Sequence, residues 1–133
     1  MITAADIVTC ARAYLGVPWV HQGRSRAGLD CGGLIVRVAQ DLGLSAFDVA
    51  AYGRQPDGKS LRRYLWAFGA RPLAGLEPGA ILLMRFVRFP QHLAIASERG
   101  MIHTYAQAGC VVEHTLGRWR ARVVEAYAFP GAG

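Results

Sequence analysis

Lysine is almost missing from this chain of 133 residues: Lys59 stands alone, and arginine carries nearly all the positive charge. Acidic residues are few as well, nine against fifteen basic ones, for a formal net charge of +6. That balance fits an anionic partner (nucleic acid, an acidic polymer surface or a carboxylate-bearing substrate) and equally a solvated surface with none. The arginines are scattered rather than set in one stripe, and no nucleic-acid motif accompanies them, so nucleic acid is excluded as partner. Long apolar runs are also lacking. The longest, Gly79 to Met84, is far too short to span a bilayer, which excludes membrane insertion. The start, Met1 to Asp6, has no basic region followed by an apolar one, so no signal peptide is expected and the protein is made in the cytoplasm. Cysteines number three, at 10, 31 and 110, an odd count without metal-ribbon spacing; a disulfide framework is excluded and a reducing compartment fits. Internal repeats and low-complexity segments are absent, and no cofactor is expected.

What remains is a composition that packs. With 53% apolar and 18% charged residues, residues 1–133 read as one globular domain with a core of its own. Thr3-Ala4-Ala5-Asp6 has the form of a capping box, predicting a first helix from Ala4 to Leu15 with Ile7, Ala11, Tyr14 and Leu15 buried. Gly16 ends it. A second helix follows Asp30, and a third runs from Lys59 to Phe68, closed by Gly69 and Pro72. Residues 44–57 read as irregular, with a turn at Pro56-Asp57-Gly58. Beyond Gly79 the pattern changes to short apolar segments: Ala80–Met84, His92–Ser97, Met101–Tyr105, Val111–Thr115 and Arg122–Ala126. Glycine-bearing turns separate them. Helices first and an antiparallel meander second make an α+β domain, with N-terminal helices packed on a C-terminal antiparallel sheet.

The chemistry centres on Asp30-Cys31-Gly32-Gly33. Leu34, Ile35, Val38 and Leu42 recur with helical spacing, and Gly43 suits the stop. Asp30 is then an N-cap and Cys31 the first helical residue, at the positive end of the helix dipole. A helix N-terminus with a cationic imidazole nearby can lower a thiol from ~8.5 to roughly 3.5–7.5. Gly32 and Gly33 leave the sulfur unshielded and let a substrate backbone approach. Cys31 therefore reads as a nucleophile, and its backbone N–H as an oxyanion donor. A cysteine in a helix can instead be a small buried hydrophobe, but the glycines and the acid argue for chemistry.

A thiol nucleophile needs a base and a group to orient it. His92 and His103 lie in consecutive predicted strands joined by Glu98-Arg99-Gly100, which sets them close to opposite one another. His114, beside Glu113 near a strand end, reads as a surface residue, and His21 as a loop residue near the cleft. A competing reading takes His92, His103 and His114, which recur every eleven residues, with Cys110 nearby, as zinc ligands in a hydrolase, without the helical HExxH pair that would support it. A third is a catalytically silent module that only docks to the cell wall or to a tail particle.

The order of five segments carries a resemblance: Tyr14-Leu15-Gly16-Val17-Pro18-Trp19, Leu29 to Leu34, Leu76-Glu77-Pro78-Gly79-Ala80, Gln91 to Ile95, and Met101-Ile102-His103. From residue 11 to about 125 the chain resembles the NlpC family of papain-like cell-wall cysteine peptidases. It looks most like the short members carried by phage tails and tail-derived particles, which share Asp-Cys-Gly-Gly-Leu and a segment like Val111-Val112-Glu113-His114. The resemblance implies a papain-like core with Cys31 as nucleophile, His92 as general base and acid, and His103 as the residue orienting it. It implies hydrolysis of an amide in peptidoglycan stem peptides, often the D-glutamyl–diamino acid bond, with phage tail-tip or hub proteins as partners. Action in the periplasm or cell wall, from a virion or tail, follows. Asp30 would help bind the substrate's amine, and Trp19, where relatives often carry tyrosine, would lie by the same pocket without a hydroxyl. Gly32 stands where serine is usual, opening space beside the sulfur.

Overall fold

The fold is seen in a computed structural model that describes residues 1–49, 59–86 and 89–132. Helix α1 (Ala4–Arg12) begins with the expected reciprocal cap: Thr3 Oγ1 accepts from the Asp6 N–H at 3.2 Å, and Asp6 Oδ2 accepts from the Thr3 N–H at 2.8 Å. It is shorter than its periodicity predicts. After Ala13 the chain turns, and the Gly16 N–H is claimed by Val111 O across the fold. Tyr14 stays buried, whereas Leu15 swings out to 44% exposure, against the expectation that it would pack inward.

Helix α2 (Cys31–Asp41) starts at the cysteine, capped by Asp30, and buries Leu34, Ile35, Val38 and Ala39. Its path ends at Gly43, whose φ of +69° is one that glycine adopts at low cost. Strands β1 (Arg24–Ser25) and β2 (Gly28–Leu29) form a small hairpin in the loop that leads to it. Residues 44–49 are irregular as expected, and the turn predicted at Pro56–Gly58 lies outside the described residues. Helix α3 (Ser60–Phe68) buries Leu65 and Phe68 and stops at Gly69 in the left-handed conformation, φ +98°.

Six antiparallel strands make the sheet, in the order β3 (Arg71–Leu73), β8 (Val123–Ala128), β4 (Ile81–Phe86), β5 (Phe89–Ala96), β6 (Met101–Thr104) and β7 (Val111–His114). This is the α+β arrangement read from the sequence. β3 was not foreseen, because Pro72 reads as a helix closer. It is tolerated at the edge of the sheet, where the missing N–H is not needed by a second neighbour. Ile81, Leu83, Leu93, Ile95 and Ile102 pack against the helices. The alternate residues Leu82, Met84, Ala94, Ala96 and Met101 face the other way, under Leu116, Trp119 and Val123 of the segment around a 3-10 helix (Gly117–Arg122). Burial on both faces accounts for the unbroken apolar run at 81–84. No helix among the described residues is long and apolar enough to cross a membrane.

Two irregularities aim the strands. Met84 pairs with His92 but Arg85 pairs with Pro90, so Gln91 is an extra residue on β5, a bulge immediately before His92. β6 pairs with β5 only at Ile95–Ile102 and Ala96–Met101 and then leaves it. Continuing that register sets position 103 across from 94, so His92 and His103 are diagonal neighbours rather than opposite, as the hairpin reading had them.

Candidate active site

Asp30 organises the start of α2. Its Oδ1 accepts from the Gly33 N–H at 2.7 Å and from Arg24 Nη1 at 2.9 Å, and its Oδ2 accepts from the Gln22 N–H at 2.8 Å. Arg24 also donates through Nε to Asp48 Oδ1 and through Nη2 to Val49 O, binding the loop after α2 to the helix start. The carboxylate that the family resemblance assigns to an incoming amine thus already holds three donors. Gly33 is required by closeness: a Cβ there would lie 2.1 Å from Gly23 O.

Leu34 donates to Asp30 O and Gly33 to Asp30 Oδ1, which leaves the Cys31 N–H as the first-turn amide with no acceptor among the described residues. The sulfur of Cys31 rests against β5. Backbone N–H groups of Leu93 and Gly32 direct hydrogen bonds to it. Cys31 and His92 line one cleft of about 910 Å³, together with Trp19, His21, Asp30 and Gly32, so all the site residues expected from the sequence border it except His103.

His103 stands behind His92. His92 Nε2 and His103 Nδ1 are 2.7 Å apart, and His103 Nε2 and His114 Nδ1 are 3.2 Å apart. The expectation that His114 is a surface residue is corrected: it is half-buried and joins the chain of imidazoles. A signal for it was present. The interval from 92 to 103 equals that from 103 to 114, and each spans one hairpin. In β6–β7 the register pairs His103 with Val112, so 114 again sits two residues along the diagonal. Equal steps of odd length across two hairpins bring three rings to one face of the sheet.

Aromatic rings enclose this row. Phe86 stacks on His92 at 4.4 Å between centroids, Tyr105 on His103 at 5.0 Å, and Trp119 on His114 at 6.1 Å. Sequence reading missed all three, because each approaches from a different element. Enclosure sets the titration. Burial pushes His92 well below the usual imidazole range, and the adjacent His103 adds to this. Burial, then His114, lowers His103 to about 4. The Cys31 thiol is pushed up to about 12, first by burial and then by the Asp30 carboxylate; the Leu93 and Gly32 amides and Arg24 pull the other way but less. The lowered thiol read from the sequence is therefore reversed. A helix end and an imidazole favour a thiolate only where the loss of water costs less than they contribute; the His92 ring is buried, while Cys31 is half-buried in the cleft wall. The resting pair is neutral thiol and neutral imidazole.

The zinc reading draws its ligands from His92, His103, His114 and Cys110. Cys110 lies just before β7, its backbone bridged to Pro18, and among the described residues no three such side chains converge to hold a metal.

No family model matches the chain, and no curated protein matches it. Solved structures do. The NlpC/p60 domain of the peptidoglycan hydrolase SagA superposes with a TM-score of 0.65 at 21% identity, covering 96% of this chain and 99% of that one. An NlpC/P60 family protein from Bacillus cereus gives 0.71 at 19% identity, over 96% of this chain and 40% of that chain. A protein from Staphylococcus aureus described as similar to lipoprotein, NLP/P60 family, gives 0.63 at 18%, over 96% and 41%. This chain spans about two fifths of those two and essentially all of the SagA domain. Three helices set before a six-stranded antiparallel sheet, with the cysteine at a helix start, are thus the fold of NlpC/P60 domains.

Proposed function

We propose that this protein is a cysteine peptidase that hydrolyses amide bonds in peptidoglycan stem peptides. One observation carries the reading: Cys31 opens a helix and shares a cleft with His92, whose far ring nitrogen is held by His103 at 2.7 Å. With Nε2 committed to His103, Nδ1 is the nitrogen of His92 left to take the thiol proton. Attack on the scissile carbonyl then transfers the sulfur proton to Nδ1, forms the S–C bond and places negative charge on the carbonyl oxygen. The Cys31 N–H at the helix start would donate to that oxygen. His92 returns its proton to the leaving amine, and water, deprotonated by the same nitrogen, cleaves the thioester.

The NlpC/P60 neighbours, one of them a peptidoglycan hydrolase by its description, support a cell-wall substrate. The D-glutamyl–diamino acid bond is the bond we expect to be cut, and delivery by a phage tail or tail-like particle to the periplasm or cell wall is the expected setting; both rest on the sequence resemblance. Residues 1–133 would act as one peptidase domain. The test compares wild type with Cys31→Ala on purified peptidoglycan, with mass spectrometry of the released fragments. The variant should stay folded and release nothing above background. Equal release by both proteins would overturn the thiol mechanism.

A further inference from the structure

The imidazole chain ends in a residue that the thiol mechanism does not use. We propose that His114 is a positioning residue that fixes the direction of the hydrogen bonds through His103 and so keeps the proton of His92 on Nε2. This inference rests on the peptidase reading for its catalytic consequence, though not for its structural one.

The three rings have two self-consistent states. In the first, every proton is on Nε2: His92 donates to His103 Nδ1, His103 donates to His114 Nδ1, and His92 Nδ1 carries a lone pair. In the second, every proton is on Nδ1: His114 donates to His103 Nε2, His103 donates to His92 Nε2, and His92 presents an N–H to the sulfur. Only the first state has a base. The dyad alone cannot choose, since His103 is fully buried and its neutral ring bonds equally well either way round. Its aromatic neighbours Tyr105 and Trp119 meet it through their rings and give no direction.

His114 can choose. It is half-buried, and its ring is stacked on Trp119 with an interplanar angle of 21° while Nδ1 points at His103. No contact to its Nε2 is seen among the described residues, so that nitrogen follows its solution preference, and a neutral imidazole in water favours the proton on Nε2. Nδ1 is then an acceptor. That makes His103 Nε2 the donor, its Nδ1 the acceptor, and His92 Nε2 the donor in turn. The neighbouring carboxylate does not interfere, because Glu113 is committed to Arg12 at 2.8 Å and to Ser97 Oγ at 2.7 Å. No proton travels along the chain during turnover; it only sets which nitrogen of His92 is bare.

The test is long-range proton–nitrogen NMR of the ring nitrogens in the full chain, for wild type, His114→Phe and His114→Asn. Phenylalanine keeps the stack on Trp119 and removes the acceptor; asparagine restores an oxygen near the Nδ1 position. Wild type should show Nε2-protonated rings at 92, 103 and 114. His114→Phe should show mixed protonation at 103 and 92, with kcat on purified peptidoglycan lowered about three- to tenfold and KM unchanged, in line with one net hydrogen bond. His114→Asn should recover most of both. Ring protons of 92 and 103 that stay on Nε2 in His114→Phe would overturn the inference, as would wild-type rings protonated on Nδ1. Neither result touches the peptidase reading, which the Cys31→Ala comparison judges separately.

Discussion

Replacing Asp30 tests whether the acid before the cysteine builds the site or only binds substrate. In Asp30→Ala the N-cap is lost, which typically costs about 1 kcal/mol. The Gln22 N–H and Arg24 Nη1 lose their acceptor as well. Removing one partner of a fully buried ion pair costs about 3–5 kcal/mol, but Arg24 is 19% exposed and keeps Asp48, so a smaller cost of about 2 kcal/mol applies. The expected total is about 3 kcal/mol. With a urea slope of about 1.5–2 kcal/mol/M for a chain of this size, the unfolding midpoint should fall by about 1.5–2 M. Asp30→Asn keeps a capping oxygen and loses the charge, so its midpoint should fall by less than half as much. It should also lower the Cys31 pKa, because the Asp30 charge is the second cause of its rise. Iodoacetamide labelling at pH 8, with Cys31 followed by mass spectrometry apart from Cys10 and Cys110, should run faster in Asp30→Asn than in wild type. An Asp30→Ala midpoint within about 0.5 M of wild type, the lower margin of a single cap, would refute the structural role. Unchanged labelling in Asp30→Asn would refute the electrostatic one.

Two further outcomes are expected. Gly33→Ala gains about 1 kcal/mol of helix propensity, yet its Cβ would meet the Gly23 carbonyl at 2.1 Å; the midpoint should fall rather than rise, and a more stable variant would show that the α2–β1 approach is looser than it looks. His103, lowered to about 4, binds fewer protons folded than unfolded between pH 4 and 6.5, so the stability it confers is complete above about 6.5 and is lost as pH falls toward 4. That amounts to about 3 kcal/mol. Urea midpoints at pH 7 and pH 4.5 should differ clearly less for His103→Asn than for wild type, and equal differences would mean that the ring is hydrated.

The sequence by itself determined where several of the elements begin or stop. Thr3 and Asp30 cap because their oxygens reach amides three residues on, and Gly43 and Gly69 end helices because the left-handed conformation is cheap for glycine; these are local effects, complete within a turn. Period and turn residues likewise set the helix-then-sheet order, and the five ordered segments pointed to the fold. Tertiary structure alone decided the rest. Leu15 faces water because the chain turns out of the helix there, its Gly16 amide taken by Val111 of the edge strand β7. Pro72 sits in a strand because that strand happens to be the edge. The diagonal of His92, His103 and His114 depends on a bulge at Gln91 and on two hairpin registers together. The ionisation of Cys31 and His92 reversed the sequence expectation, since desolvation sums over Phe86, Leu93 and the other walls of the cleft, and residues that meet only after folding leave no mark on the spacing around position 31.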